Sequence, residues 1–247
     1  MTTIAGLTTE PNELKDDFSI NMLIYGVPGV GKTYLAGSAG MVPEMSPVLY
    51  IDIEGGGLTI KKSFPDADIE FLRLDNPDKL KDVYEYLKTK EHGFKTVVID
   101  SFSELHDMSI ATITQEAAKA NSSQDSEVPS PREYGKARTR SRSRIRGFRD
   151  MDINVIMTTH VQNDRDSIDG TMFFKPALAG KLAEEIPGFV DIVLYMYTKK
   201  QDKKALALDR KALTQPDGKH YAKDRTGKLP TIIEDMTMSS IYKTIRR

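Results

Sequence analysis

Gly26-Val27-Pro28-Gly29-Val30-Gly31-Lys32-Thr33 decides how this chain is read. The octapeptide has the form G-x-x-x-x-G-K-T, and an apolar run, Met22-Leu23-Ile24-Tyr25, leads straight into it. Such a run suits a buried strand, while Thr33-Tyr34-Leu35-Ala36 can open a helix. Glycines adopt dihedrals that a β-carbon forbids, so the N–H groups of Gly26, Val27, Pro28-Gly29, Val30, Gly31, Lys32, Thr33 and Tyr34 form a candidate phosphate cradle, proline lending only its turn. The positive end of the new helix adds to it. Lys32 is placed to reach β- and γ-phosphates, and the Thr33 hydroxyl to hold Mg2+. All four fixed positions and both flanks are present, so the stretch reads as a Mg-nucleotide site rather than a bare turn.

The rest of the composition narrows the setting. At 247 residues there is material for a substantial core. Lys and Arg total 35 against 36 Asp and Glu, so any nucleic-acid surface must be local. The absence of cysteine excludes disulfides and thiolate chemistry and fits a reducing cytoplasm. No apolar run approaches the ~18 residues that span a membrane, and MTTIAGLTTEPNELKDD lacks the pattern of a signal peptide. Cytoplasm is the expected compartment, the host's if a phage encodes the chain.

Residues 1–18 are polar and read as a loose leader, with 19–247 as a single domain. Strands are expected at about 20–25, 47–54, 69–74, 96–100 and 153–160, with helices at about 33–38, 76–88, 102–120 and 132–150. Strands alternating with helices of this length predict an α/β fold: a mostly parallel central sheet with helices on both faces. Residues 121–131 and 161–175 read as polar loops. Residues 190–197 and 205–208 read as late strands, antiparallel at the sheet edge, and the tail after Pro230 as a short helix through Ile241 and Ile245.

Asp100 ends the apolar run Thr96-Val97-Val98-Ile99, where a second acid of a P-loop enzyme holds Mg2+ with Thr33. Hydrolysis also needs a group to deprotonate or position water. The residue after Asp100 is Ser101, so that acid must come from elsewhere. Glu54 is the first candidate, on the expectation that strand 48–53 lies beside the P-loop strand; Glu104 is the second.

Tyr50-Ile51-Asp52-Ile53-Glu54, Val97-Val98-Ile99-Asp100-Ser101 and the P-loop resemble the RecA-like ATPase core in order and spacing. Over roughly residues 20–230 the chain is similar to phage-type AAA nucleotide-binding proteins, which include RecA-like single-strand annealing ATPases. The resemblance implies a RecA-like P-loop NTPase fold with antiparallel edge strands, ATP and Mg2+ as ligand and cofactor, and water activation by Glu54. It implies single-stranded DNA as partner, a homo-oligomeric ring or filament, and a single-strand-binding protein as a further partner. A polar residue at the place of His160, where the family usually has glutamine, senses the γ-phosphate in such proteins; Gln162 lies close by. Related hexameric ATPases reach a neighbour's nucleotide with a lysine and an arginine two apart, the spacing of Lys223 and Arg225.

Two basic regions remain. Residues 132–149 carry Arg132, Lys136, Arg138, Arg140, Arg142, Arg144, Arg146 and Arg149 against Glu133 alone. As a helix this segment keeps an apolar side through Ala137, Ser141, Ile145 and Phe148. Arg138, Arg140, Arg142 and Arg144 are then candidates for single-stranded nucleic acid, with a subunit contact or a solvated face as alternatives. In 161–175, Arg165 and Lys175 join them, and Phe173 and Phe174 either stack on bases or anchor the loop.

The leading expectation is therefore a DNA-stimulated ATPase of recombination or replication, with a nucleotide-gated accessory module as the alternative. A GTPase is disfavoured because Lys199-Lys200-Gln201-Asp202 lacks Asn or Thr at the first place of N/T-K-x-D, and no lid or acceptor pocket suggests a small-molecule kinase. Lys32→Ala is expected to abolish nucleotide turnover while leaving the fold intact. Unaltered hydrolysis in that variant would sink the whole reading.

Overall fold

A computed structural model describes residues 18–89, 91–166, 170–199 and 209–247. The P-loop strand β1 (Asn21–Gly26) and helix α1 (Lys32–Gly37) flank the glycine turn, as the apolar run predicts. Then follow β2 (Val48–Asp52), α2 (Gly57–Ser63), β3 (Ile69–Arg73), α3 (Lys79–Lys88), β4 (Thr96–Asp100) and α4 (Phe102–Ala120). After them come α5 (Pro131–Arg149), β5 (Asn154–Thr159), β6 (Val161–Arg165), β7 (Met172–Pro176), α6 (Leu182–Phe189) and β8 (Ile192–Lys199). The chain ends with β9 (Asp209–Leu213), β10 (Lys223–Asp224), β11 (Ile232–Ile233) and α7 (Met238–Ile245).

The main sheet has the order β11-β9-β8-β1-β5-β4-β2-β3, with β10 also on β8. From β8 to β3 every pairing is parallel, and β9, β10 and β11 pair antiparallel. The fold is thus a mostly parallel α/β sheet with antiparallel edge strands, a P-loop NTPase-like architecture. Alternation along each central strand feeds two cores. Met22, Ile24, Val48 and Tyr50 face Leu35, Ile60, Ile241 and Ile245 of α1, α2 and α7. Leu23, Tyr25, Leu49 and Ile51 face Leu80, Leu105, Phe148 and Ile186 of α3, α4, α5 and α6. Strands buried on both faces need apolar runs rather than alternation, which is why β1, β4 and β5 were plain in the sequence.

Four expectations change. Strand β2 does not lie beside β1: β4 and β5 separate them, because β2 pairs β4 in register Asp52 with Asp100. Residues 161–175 are not an open loop but the hairpin β6–β7, whose polar side chains sit on a two-stranded ribbon outside the main sheet. The late strand β8 is parallel to β1 rather than antiparallel. Pro131 belongs to α5, at its first turn, under a capping box in which Ser130 and Glu133 satisfy each other's backbone ends. The strand expected at 205–208, most of the leader at 1–18 and the lysine-rich stretch at 200–204 lie outside the described residues.

Helices α4 and α5 share a fully buried polar pair, His106 Nδ1 and Ser141 Oγ at 2.9 Å, with His106 Nε2 also shielded. Burial depresses the His106 pKa from 6.5 to about 4, so the folded chain keeps the ring neutral where the unfolded chain protonates it. Unfolding thus takes up a proton between pH 6.5 and about 4, and stability falls as pH falls through that window. The contribution reaches about 1.4 kcal/mol per pH unit at most. Urea melts of His106→Gln are expected to show a shallower decline over that window than wild type; parallel declines would assign the acid sensitivity elsewhere.

Candidate nucleotide site

Parallel strands that start level also end level. The register aligns Gly26 with Met196, Tyr25 with Thr159, Ile99 with Met157 and Asp52 with Asp100. The carboxyl ends of β1, β5, β4 and β2 therefore share one edge, the place where open α/β sheets bind ligands. Every residue expected to act on nucleotide in cis comes from that edge.

Gly29 and Gly31 turn the P-loop with φ of 78° and 105°, a region that favours glycine. Gly26 is needed for another reason: a β-carbon there would stand 2.4 Å from the Met196 carbonyl oxygen on β8. Lys32 is buried, and its ammonium donates to the carbonyls of Gly26 at 2.9 Å and Val27 at 3.2 Å. Burial lowers its pKa, while the charges of Glu54 and Asp100 act in the opposite sense, so all three groups share one field. Tyr34 packs its ring against Phe64 with centroids 4.7 Å apart.

Asp100 is buried and serves as the hub. Its Oδ2 accepts from Thr33 Oγ1 at 2.8 Å and from the Tyr50 hydroxyl, and its Oδ1 accepts from Thr158 Oγ1. One carboxylate thus ties α1, β2, β4 and β5 together. A hydroxyl and a carboxylate in contact form a hard-oxygen pair, and Mg2+ takes one or two protein oxygens with phosphates and waters supplying the rest. Thr33 and Asp100 therefore fit Mg2+. Gly56 leaves room for this pair, since a β-carbon on it would lie 3.0 Å from Thr33 Cγ2 and 3.5 Å from Asp100 Oδ2.

Glu54 reaches the same edge from the end of β2. Asp52 holds the loop that carries it, accepting from the N–H groups of Gly55, Gly56 and Gly57 at 2.7, 3.0 and 3.2 Å. Glu54 Oε1 accepts from Ser101 Oγ and meets His160 Nε2 at 2.9 Å. No described residue bonds Oε2. The expected neighbour strand was wrong, but the expected edge was right, and Glu54 rather than Glu104 joins the cluster: Glu54 bonds through its carboxylate, whereas Glu104 reaches Ser101 Oγ only through its backbone N–H. His160 lies against Glu54 rather than against the P-loop, and Gln162 turns away to the Leu178 carbonyl at 3.4 Å.

Sequence reasoning missed Tyr50, Thr158, Asp52 and Ser101. An aspartate three residues before a run of three glycines is a turn signal that would have found Asp52. The hydroxyls of Tyr50 and Thr158 sit inside apolar strands and carry no local signal.

The remaining predicted residues lie elsewhere. Lys223 is at the opposite, amino-terminal end of β8, beside Val193, and donates to the carbonyls of Pro187 at 3.0 Å and Val190 at 2.6 Å. Arg225 pairs with Asp191 at 2.6 Å. Both cations are therefore engaged at the end of α6 within this chain, at the opposite end of the sheet from the P-loop of the same chain. Lys175 is buried, with its ammonium 2.9 Å from Asp164 and 3.4 Å from Glu184, so it is an internal ion pair rather than a nucleic-acid contact. Phe174 stacks on His220 with centroids 4.8 Å apart, and Phe173 meets Tyr221 edge-on, so both anchor the hairpin. Arg165 is exposed at the end of β6.

On α5, Ala137, Ser141, Ile145 and Phe148 are buried as expected. The arginines are partly matched by acids from other elements. Arg138 holds Glu185 below the usual carboxylate range through a bidentate pair, and Arg142 approaches the same carboxylate at 3.4 Å. Arg140 lies 3.6 Å from both Asp78 and Glu116, and Arg144 lies 3.1 Å from Asp78. Arg132 and Lys136 are exposed with no ion pair among the described residues.

The sequence profile of the AAA domain family matches residues 19–226. The chain belongs to that family. Membership suggests an ATPase that binds nucleotide, usually with Mg2+, and it agrees with the edge cluster just described. No protein of curated function matches the AAA protein's sequence. No helix among the described residues of this AAA protein is long and apolar enough to cross a membrane.

Glu54→Gln keeps the size of the side chain and loses the base. It is expected to bind ATP as wild type does while hydrolysis falls on the order of 10²–10⁴-fold. Binding by calorimetry and phosphate release by colorimetry separate the two effects; near-normal release would move the role to Glu104.

Proposed function

We propose that this AAA protein is a RecA-like, Mg2+-dependent ATPase acting on single-stranded DNA, in annealing or strand exchange during phage recombination or replication. The observation that carries the ATPase reading is the setting of Glu54. Its Oε1 is held by Ser101 and His160 while Oε2 bonds no described residue, at the edge shared with Lys32, Thr33 and Asp100. That is how a general base is oriented without being neutralised.

The chemistry follows from the placement. The P-loop N–H groups and Lys32 bind the phosphate tail, and Thr33 and Asp100 hold the metal, which when bound offsets charge on the phosphates. Glu54 Oε2 takes a proton from water as its oxygen attacks the γ-phosphorus. The bond to the β–γ bridging oxygen breaks, giving ADP and inorganic phosphate. Ser101 keeps the carboxylate aimed. His160 stands between Glu54 and the start of β6, so a change at the γ-phosphate has a direct route into the β6–β7 hairpin.

The DNA part rests on α5. Its eight basic residues outnumber the acids that face them, and Arg132 and Lys136 stand free on one helix flank. Exposed arginine and lysine suit a single-stranded phosphate backbone, and Arg165 on the hairpin adds a further exposed cation. A homo-oligomeric ring or filament would line such surfaces up along a strand.

ATP turnover by the whole chain is expected to rise on adding single-stranded DNA. DNA binding by the double variant Arg132→Gln/Lys136→Gln is expected to show a weaker salt dependence. Single strands give about 0.7 per neutralised phosphate, so two lost contacts reduce the log–log slope by roughly 1.4. Absence of stimulation would leave a nucleotide-gated accessory module, and an unchanged slope would remove α5 from the DNA surface.

A further inference from the structure

Charge develops on a transferring phosphoryl group, and P-loop sites answer it with cations beyond the lysine of the loop. No arginine lies near Gly26–Thr33, Glu54 or Asp100 in sequence, and Lys223 and Arg225 are engaged at the far end of the sheet. The fold supplies another. Strand β9 runs antiparallel to β8 with Ala212 opposite Met196 and Arg210 opposite Thr198. Ala212 and Met196 belong to the core on the α1 side. Residues two apart on a strand share a face, so Arg210 leaves β9 on that same side, beyond the end of the core.

There it lies on the P-loop. A β-carbon built on Gly31 would stand 3.0 Å from Arg210 Nε and 3.1 Å from its Cδ. With φ of 105° as well, Gly31 is a glycine both for its own turn and for the arginine laid across it. Arg210 is exposed and no carboxylate among the described residues pairs with it, although Lys211 beside it is held by Asp209 and Glu234. An exposed guanidinium with no acid partner among the described residues, held against a phosphate-binding loop, has the planar donor fork that matches phosphate oxygens.

We propose that Arg210 is a phosphate-binding residue of the nucleotide site, contributed in cis, whose guanidinium contacts the polyphosphate tail of a nucleoside di- or triphosphate seated on Gly26–Thr33. This rests on the reading of the P-loop as a nucleotide site. Arg210 closes the open side of the loop, opposite the wall formed by Asp100, and it moves the extra cation from a neighbouring subunit to an edge strand of the same chain.

The test is calorimetric binding of Mg-ATP and Mg-ADP to the full chain and its Arg210→Gln, Arg210→Lys and Lys32→Ala variants. Glutamine keeps the stem that packs on Gly31 and removes the charge. Arg210→Gln is expected to weaken nucleotide binding roughly tenfold to a hundredfold, with lysine recovering part, and with the melting of the nucleotide-free protein unchanged. Wild-type affinity in Arg210→Gln, alongside lost affinity in Lys32→Ala, would overturn this proposal alone. Wild-type affinity in Lys32→Ala as well would overturn the nucleotide site itself. A mixture of Arg210→Gln with Lys32→Ala chains is expected to show no recovered turnover, because both lesions fall in one site; recovery would place Arg210 in trans and overturn the assignment.

Discussion

The buried carboxylate of Asp100 constrains the rest. A carboxylate removed from water must find donors, and here they come from three directions: Thr33 on α1, Tyr50 on β2 and Thr158 on β5. Those donors meet only if β1, β5, β4 and β2 end at the same level, which parallel pairing in register provides. Strand β5 lies between the P-loop strand and the Asp100 strand, so Thr158 spans what would otherwise be a gap in the network. Tyr50 shows the cost from its own side, since burial, followed by the charge of Asp100, pushes its hydroxyl pKa well up. It is kept as a donor, and Asp100 as an acceptor, by the same contact. Metal binding at Thr33 and Asp100 would exchange one of these bonds for a metal–oxygen bond and leave the other two to aim the carboxylate.

Glu54 illustrates a different solution. Its side chain is 35% exposed and takes its orientation from two contacts on a single oxygen. Asp52, two residues earlier, spends its charge on three glycine N–H groups and so fixes the loop that Glu54 stands on. The division of labour follows from strand alternation and length: the residue still in the strand holds backbone, and the residue just past it reaches the site. Serine at position 101 fits this scheme, because a second carboxylate there would repel Glu54, whereas a hydroxyl donates to it.

What was legible in the sequence follows from range. The P-loop, Asp100 and the doubly buried strands declare themselves through local spacing and unbroken apolar runs, so the sheet's parallel half could be read. The order of strands could not, because β2 and β1 carry equally apolar faces and nothing local says that β4 and β5 come between them. The β6–β7 hairpin was hidden by Gln162-Asn163-Asp164-Arg165, a strand polar on both sides because it lies outside the main sheet. Helix α6 was hidden by Pro187 inside an eight-residue segment. The arginines of α5 looked like a free basic face because their acids, Asp78, Glu116 and Glu185, come from three other elements.

Arginine and lysine roles are the least legible of all, for a physical reason. A long cationic side chain reaches far from its own backbone, so its partner is set by tertiary packing rather than by sequence neighbours. Lys223 and Arg225 have a spacing that suits a shared phosphate, yet the fold brings them to the carbonyls that end α6 and to Asp191, which need donors in any case. Burial and the nearby Arg225 lower the Lys223 pKa. Arg210 has no motif around it, and only the antiparallel return of β9 lays it on Gly31. Among the described residues, the acid partner that would mark a cation as structural is present for Arg225, Lys175 and Arg138 and missing for Arg210. Where an arginine is left without its counter-charge beside a loop built of N–H donors, the missing charge is most economically the anion that the loop itself is shaped to hold.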